Sequence, residues 1–380
     1  MPDFRTSWRV VAAMFILNGA LFGIWASRIP AVATRYDLSP GDLGWLLLLM
    51  AAGAIASFPL AGRLSDKIGA VKVTWRMAFA YVGALFLVAF APTYLALAVA
   101  LFLFGATQGS LDVAMNVWAA EAERHIGRPV MSSFHAMFSL GAGLGAASGF
   151  VAETYSVGIT PHFVVAGTVI AVITLTAARG TWVSDIQDTG LAGPIFRLPK
   201  GPLIAVGFIA FCASLGEGGM ADWSAIFLVH SAGTTEAQAA LGYTVFSIAM
   251  VVMRLLGDAI TLRLGPVGAA RLAGSVATVG VLCAVVFGTF GMTLVGFFLM
   301  GIGYAMIMPL ALSRAANDPH TSPGTALAAV SALGYGGLLL GPPIIGFLSE
   351  VTSVRVAFLF LAILAAMIVV LSRAISKQDI

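Results

Sequence analysis

The sequence predicts an all-α membrane protein: twelve transmembrane helices in two six-helix bundles, related by a pseudo-two-fold axis along the membrane normal. Three observations carry that expectation. First, the 380 residues are 59% hydrophobic and 10% charged, with a mean hydropathy of +0.98. A soluble domain carries about 25% charged residues. Second, apolar windows of about 20 residues, enough to cross a bilayer core as helix, recur along the chain. Third, short matches between the two halves recur at a nearly constant offset.

The first window, 8–28, follows a basic start and leads into small residues, which imitates a signal peptide. The many spans behind it favour a first membrane helix. The next five windows are 43–62, 74–91, 94–119, 131–153 and 162–179. The last six are 202–229, 238–261, 269–288, 291–312, 325–349 and 354–373. Charged residues, prolines and polar clusters separate them. The longest connection, 180–201, divides an N-terminal bundle (1–179) from a C-terminal one (202–380).

Lys and Arg set the orientation. With the N-terminus in the cytoplasm, sixteen of the twenty basic residues fall inside. Arg28, Arg35 and Arg355 fall outside, and Arg254 alone lies within a span. Both termini are therefore expected in the cytoplasm. The net charge of +3 comes without any dense basic run, so no nucleic-acid partner is expected. Cys212 and Cys283 lie in apolar runs and form neither a disulfide framework nor a metal cluster. No cofactor or metal is expected, and no His-Glu zinc motif, Walker loop or nucleophile elbow suggests an enzyme.

The halves repeat. "GFVAE" (149–153) recurs as "GFLSE" (346–350), Gly105 as Gly301, Trp25 as Trp223, and "AGRLSDKIG" (61–69) as "GDAITLRLG" (257–265). The offsets run from 196 to 198 residues. Two parallel six-span repeats joined by a cytoplasmic loop describe a common transporter architecture.

Polar residues within the spans mark candidate function, because they are costly there. Gln108, Asp112 and Asn116 lie four apart and share one helix face. Asp112 is a candidate proton or amine acceptor; the alternative is a polar patch bonded to a neighbouring helix. His135, near the start of span five, lies within reach of Asp112 if the helices pack, and an Asp–His pair titrates as one unit. Glu217 and Asp222 in span seven are candidates for hydroxyl, amine or proton binding. Trp25 and Trp223 either stack on a solute or belong to an interfacial belt. Asn18, Tyr304 and Tyr335 offer polar groups at mid-depth. Arg28 could attract an anion or snorkel from a helix end. Arg254 and Asp258, four apart, are expected to pair locally. Gly141, Gly145 and Gly149 form a small-residue stripe for close helix packing.

The loop "GRLSDKIGAVK" (62–72), with Gly62, Leu64, Asp66, Lys67, Gly69 and Lys72, resembles the signature between spans two and three of the major facilitator superfamily. In the second copy Leu262 stands where the Asp would be. "FGIWASRIPAV", "SSFHAMFSLGAGLGA" and "EGGMADWSAIFL" resemble a bacterial branch that includes a rhizopine-associated membrane protein. The resemblance covers essentially the whole chain. It implies that spans one, four, seven and ten line a central cavity, which aims the Asp112 face at water and solute. It also implies that Gly62, Asp66, Lys67 and Gly69 form a conformational gate. Two departures weigh against the superfamily's drug antiporters. Span five lacks their Gly-Pro signature, and Gln108 stands where many proton-coupled members carry Arg.

The resulting expectation is a monomeric secondary transporter of a bacterial inner membrane. It takes up a small polar solute, sugar-, polyol- or amine-like, by proton-coupled alternating access. The competing expectation is an efflux antiporter for amphipathic compounds.

Overall fold

A computed structural model describes residues 4–38, 40–180, 182, 184–186, 201–234 and 236–376. The connection over 187–200, with Arg197 and Lys200, lies outside these residues, as does Lys377. Among the described residues all regular structure is helical. The elements are α1 (Phe4–Ser27), α2 (Ile29–Arg35), α3 (Pro40–Ile68), α4 (Ala70–Phe90), α5 (Tyr94–Ile126), α6 (Met131–Thr154) and α7 (Ile159–Ala177). They continue with α8 (Pro202–Ala232), α9 (Glu236–Phe287), α10 (Phe290–Tyr304), α11 (Ile307–Ala316), α12 (Pro323–Val351) and α13 (Val354–Leu371), then a short 3₁₀ turn.

Ten described segments are long and apolar enough to cross a membrane. One of them, Leu241–Phe287, is 47 residues long. Its backbone breaks at Gly265, where φ is +69° and Pro266 follows. Glycine supplies the left-handed conformation, and proline cannot continue the preceding hydrogen-bond ladder. The 24-residue α6 lies outside the ten. Its 131–149 stretch carries four Ser, four Gly and one His, which lowers the hydropathy there. Several helices extend beyond the windows read from sequence; α5 continues to Ile126, because a helix need not end where the apolar run does.

The chain divides into two compact units. Unit one holds 1–128, 134–197 and 322–328; unit two holds 129–133, 198–321 and 329–380. In unit one, α1 is the inner helix: 78% of its apolar window is buried, against 33% for α3 and for α7. In unit two, α8 takes the same place at 72%. Large apolar side chains on the outer helices, including Phe79, Leu87, Val165 and Val172, are exposed. A soluble protein rarely presents so much contiguous apolar surface. Hydrocarbon is the solvent that tolerates it.

Close packing inside each unit runs through glycines, and the contacts recur between units. A Cβ on Gly141 would stand 2.3 Å from the Ile16 carbonyl oxygen, and one on Gly145 2.2 Å from that of Ala20. In unit two the corresponding values are 2.3 Å from Gly337 to Phe211 and 2.7 Å from Gly341 to Leu215. Gly105 meets the Met50 carbonyl, and Gly301 meets that of Phe246. Each glycine and its counterpart are 196 positions apart.

Candidate functional site

Asp112 sits on α5 beyond the middle of an apolar run. The expected face exists. The Asn116 amide donates to the Asp112 backbone carbonyl at 2.9 Å and approaches Oδ1 at 3.4 Å. Asp112 and Gln108 are half-buried and Asn116 is buried. Among the described residues no cation pairs with Asp112, so nothing fixes its charge. His135 does not provide that partner: its ring stands edge-on to Phe15, with centroids 5.4 Å apart.

Several other candidates are occupied by packing. Asn18 is fully buried and its amide points at the Met115 sulfur, 3.6 Å away. Trp25 is fully buried against Phe104. Tyr304 is buried beneath Gly216, where a Cβ would lie 2.6 Å from the phenol oxygen. Arg28 neither snorkels nor stands open. It is buried and donates to the Val157 carbonyl at 3.0 Å, tying α1 to the connection between α6 and α7. Trp223 and Tyr335 remain partly exposed.

In unit two, both residues of the expected Arg254–Asp258 pair make contacts to other helices. Arg254 reaches across to Glu217 on α8, with Nη2 to Oε1 at 3.5 Å. Tyr243 bonds Ser247, one turn along α9, and Asp222 shares the electrostatic surroundings of this group. Asp258 instead accepts from the backbone N–H of Ser132 and of Ser133, both at 2.9 Å. Those N–H groups open α6 and would otherwise lack acceptors. Two oriented N–H groups at a helix start can satisfy both carboxylate oxygens at once.

The loop motif has a matching structure. Asp66 is 3% exposed. Its Oδ1 accepts from the Gly324 N–H at 2.8 Å; its Oδ2 accepts from the Ser322 hydroxyl at 2.6 Å and the Thr325 N–H at 3.2 Å. The carboxylate thus caps the first turn of α12. Gly62 is required by close approach, since a Cβ there would lie 2.4 Å from the Gly324 carbonyl oxygen. Gly69 has φ of +92°, and its Cβ would meet the Ser184 side chain at 2.9 Å. Ser184 accepts from the Val71 N–H at 3.0 Å and caps α4. Trp182, two residues earlier, donates to Glu121 at 3.0 Å. Lys67 is exposed.

Sequence reasoning missed Trp182 and Ser184, and for Asp258 it missed the contact with the start of α6. The signal for Asp258 was present: the repeat places it one turn before Leu262, and a carboxylate one turn away can still reach a helix start. An apolar groove of about 470 Å³, lined by Leu87, Phe90, Leu95 and Val99, lies where α4 turns into α5. It holds none of these groups.

The profile of the Major Facilitator Superfamily matches residues 10–322 and 206–378. The chain belongs to that superfamily. It is 45% identical over 379 residues to the uncharacterised transporter y4wD of Sinorhizobium fredii, covering 99% of this chain and 100% of that one. It is 31% identical to the membrane protein MosC of Rhizobium meliloti, covering 95% of this chain and 88% of that one. Its fold matches the E. coli fucose:proton symporter FucP with a TM-score of 0.77 at 16% identity, covering 99% of this chain and all of the other. The chain is a membrane transporter and not an enzyme.

Proposed function

We propose that the protein is a secondary active transporter that takes up a small polar solute with protons by alternating access. It resides in a bacterial inner membrane with both termini in the cytoplasm. The observation that carries the reading is Asp112: a half-buried carboxylate on an apolar helix, with an amide beside it and, among the described residues, no cation paired with it. An intramembrane carboxylate is costly unless it has a use. Asn116 can serve either protonation state, because its amide both donates and accepts. Glu217 is the weaker proton carrier of the two, since Arg254 already pairs with it. Gln108, Asp222, Trp223 and Tyr335, all at least partly exposed, are the polar and aromatic groups proposed for the solute, while Asn116 is buried and serves Asp112. Asn18, Trp25, Arg28 and Tyr304 would take part only after a rearrangement.

Twelve spans are part of this reading. The break at Gly265 and the 24-residue α6 support that count, and the glycine contacts repeated at a fixed offset support two related bundles. Asp66 with Gly62, Lys67 and Gly69 serves as the gate. Its carboxylate stabilises one arrangement of α12, and alternating access requires that arrangement to be left and re-formed.

Asp112→Asn keeps the shape and removes the titration. In reconstituted vesicles it should reduce gradient-driven accumulation to the no-gradient level while retaining exchange of bound solute, which needs no net proton movement. If the variant still concentrates solute in response to a pH gradient, Asp112 is not the carrier.

A further inference from the structure

Helix α4 starts without a cap of its own. Its N-cap residue, Gly69, has no side chain to accept from the first N–H groups of the helix. The cap comes from the chain beyond α7, where the Val71 N–H donates to the Ser184 hydroxyl oxygen at 3.0 Å. That hydroxyl also bonds the Glu121 carboxylate on α5. The Trp182 indole N–H donates to the same carboxylate at 3.0 Å. Glu121 is 5% exposed, and a buried carboxylate is costly without donors. Trp182 and Ser184, two positions apart, supply them together.

The Trp182 ring is held as well. It stands edge-on to Trp118 and His125 of α5, with centroids 6.4 and 5.6 Å apart. Asp185 pairs with Arg124 at 3.1 Å, and that pair is exposed. Trp182, Ser184 and Asp185 thus strap the end of α5 to the start of α4, all within unit one.

The strap and the gate share one short loop. Asp66, in the last turn of α3, caps the start of α12. Five positions on, Val71 is held by Ser184. Between them, a Cβ on Gly69 would lie 2.9 Å from the Ser184 Cβ, so this glycine of the loop motif leaves room for the strap. A loop that moves to free Asp66 carries the Val71 N–H away from Ser184. That loss in turn loosens the hydroxyl that Glu121 depends on.

Resting on the gate reading, we propose that Trp182 and Ser184 are positioning residues of the gate: they fasten loop 66–71 in the arrangement in which Asp66 caps α12, and they let go when Asp66 does. Neither touches the solute. The strap adds a second hold on the loop, so the state with α12 capped is favoured more than the Asp66 contacts alone would make it.

The test reads conformation directly and needs no solute. In the full-length protein in membranes, with Cys212 and Cys283 replaced by alanine, cysteines on either side of the membrane report the ratio of the two states. Ser184→Ala should shift that ratio roughly fivefold, the usual effect of losing a capping hydroxyl, in the same direction as Asp66→Asn. Ser184→Thr keeps the hydroxyl and should restore the wild-type ratio. Trp182→Phe keeps a ring, loses the donor and should shift the ratio the same way. Asp185→Asn breaks only the exposed pair and should leave it unchanged. A purely structural strap would lower the melting temperature of Ser184→Ala and Trp182→Phe and leave their ratio at the wild-type value; that result, or a shift opposite to that of Asp66→Asn, overturns the proposal. If Asp66→Asn shifts the ratio and neither strap variant does, the gate stands and only the strap is removed. If Asp66→Asn itself causes no shift, the gate reading fails and the strap fails with it.

Discussion

At the residue scale, two carboxylates carry an argument about conformational balance. Asp66 caps the start of α12 and Asp258 caps the start of α6. Both contacts exist together in one structure, so both stabilise the same state. Replacing a carboxylate by an amide keeps one acceptor and turns the other into a donor facing a donor. The expected cost is about 1–3 kcal/mol per site. Asp66→Asn and Asp258→Asn should therefore both shift the population away from this state, and the double variant should shift it further. Transport should slow several-fold while solute affinity stays nearly unchanged, because neither residue is proposed to touch solute. Accessibility of cysteines placed on either side of the membrane reads the shift. If the two variants move the accessibility pattern in opposite directions, the shared role fails. Asp66 was legible in the sequence because its motif surrounds it. Asp258 was not, because its partners are more than 120 positions away in the chain and spacing reports only neighbours on one helix.

At the scale of elements, the hydropathy windows fall on described helices, and ten described segments are long and apolar enough to cross a membrane, because crossing lipid needs only length and apolarity. The windows could not say which helices lie inside a bundle. That depends on backbone approach, which glycine permits and hydropathy ignores. The Gly141–Gly145 stripe was legible as a packing feature. Its counterpart at Gly337 and Gly341 was not drawn out, although the repeat offset predicts it. Gly141→Ala and Gly337→Ala both place a methyl 2.3 Å from a carbonyl oxygen on α1 or α8. Each should cost about 1–3 kcal/mol, the usual range for overpacking. Gly143 and Gly336 lie on the same two helices, where a Cβ would meet nothing within 4 Å. Alanine there should be neutral or stabilise by up to about 1 kcal/mol. Thermal melts of the four variants in one detergent decide the matter: four similar losses would mean that general helix distortion, and not the close approach, sets the cost.

At the scale of the whole molecule, the number of spans decides on which side each connection lies. Ten described segments qualify by length and apolarity; α6 lies outside them, and the break at Gly265 lies within one of them. If α6 crosses, Arg128 before it and Tyr155 after it lie on opposite sides. If the chain turns back at Gly265, Arg263 and Gly288 lie on opposite sides too. The basic residues argue for both crossings. Arg124, Arg128, Arg263 and Arg271 then share the side of Lys67 and Lys72, as the charge bias of inner loops requires. The energetic argument agrees, because a polar turn at Gly265 left inside hydrocarbon would expose backbone groups at several kcal/mol each. The check is labelling of single cysteines with a membrane-impermeant reagent, after Cys212 and Cys283 are replaced by alanine. Cysteines at Tyr155 and Gly288 should label in intact cells. Cysteines at Arg128 and Arg263 should label only once the inner face is opened. Tyr155 and Arg128 labelling from one side would place α6 along the membrane surface and reduce the count, and the two halves would then no longer share one topology.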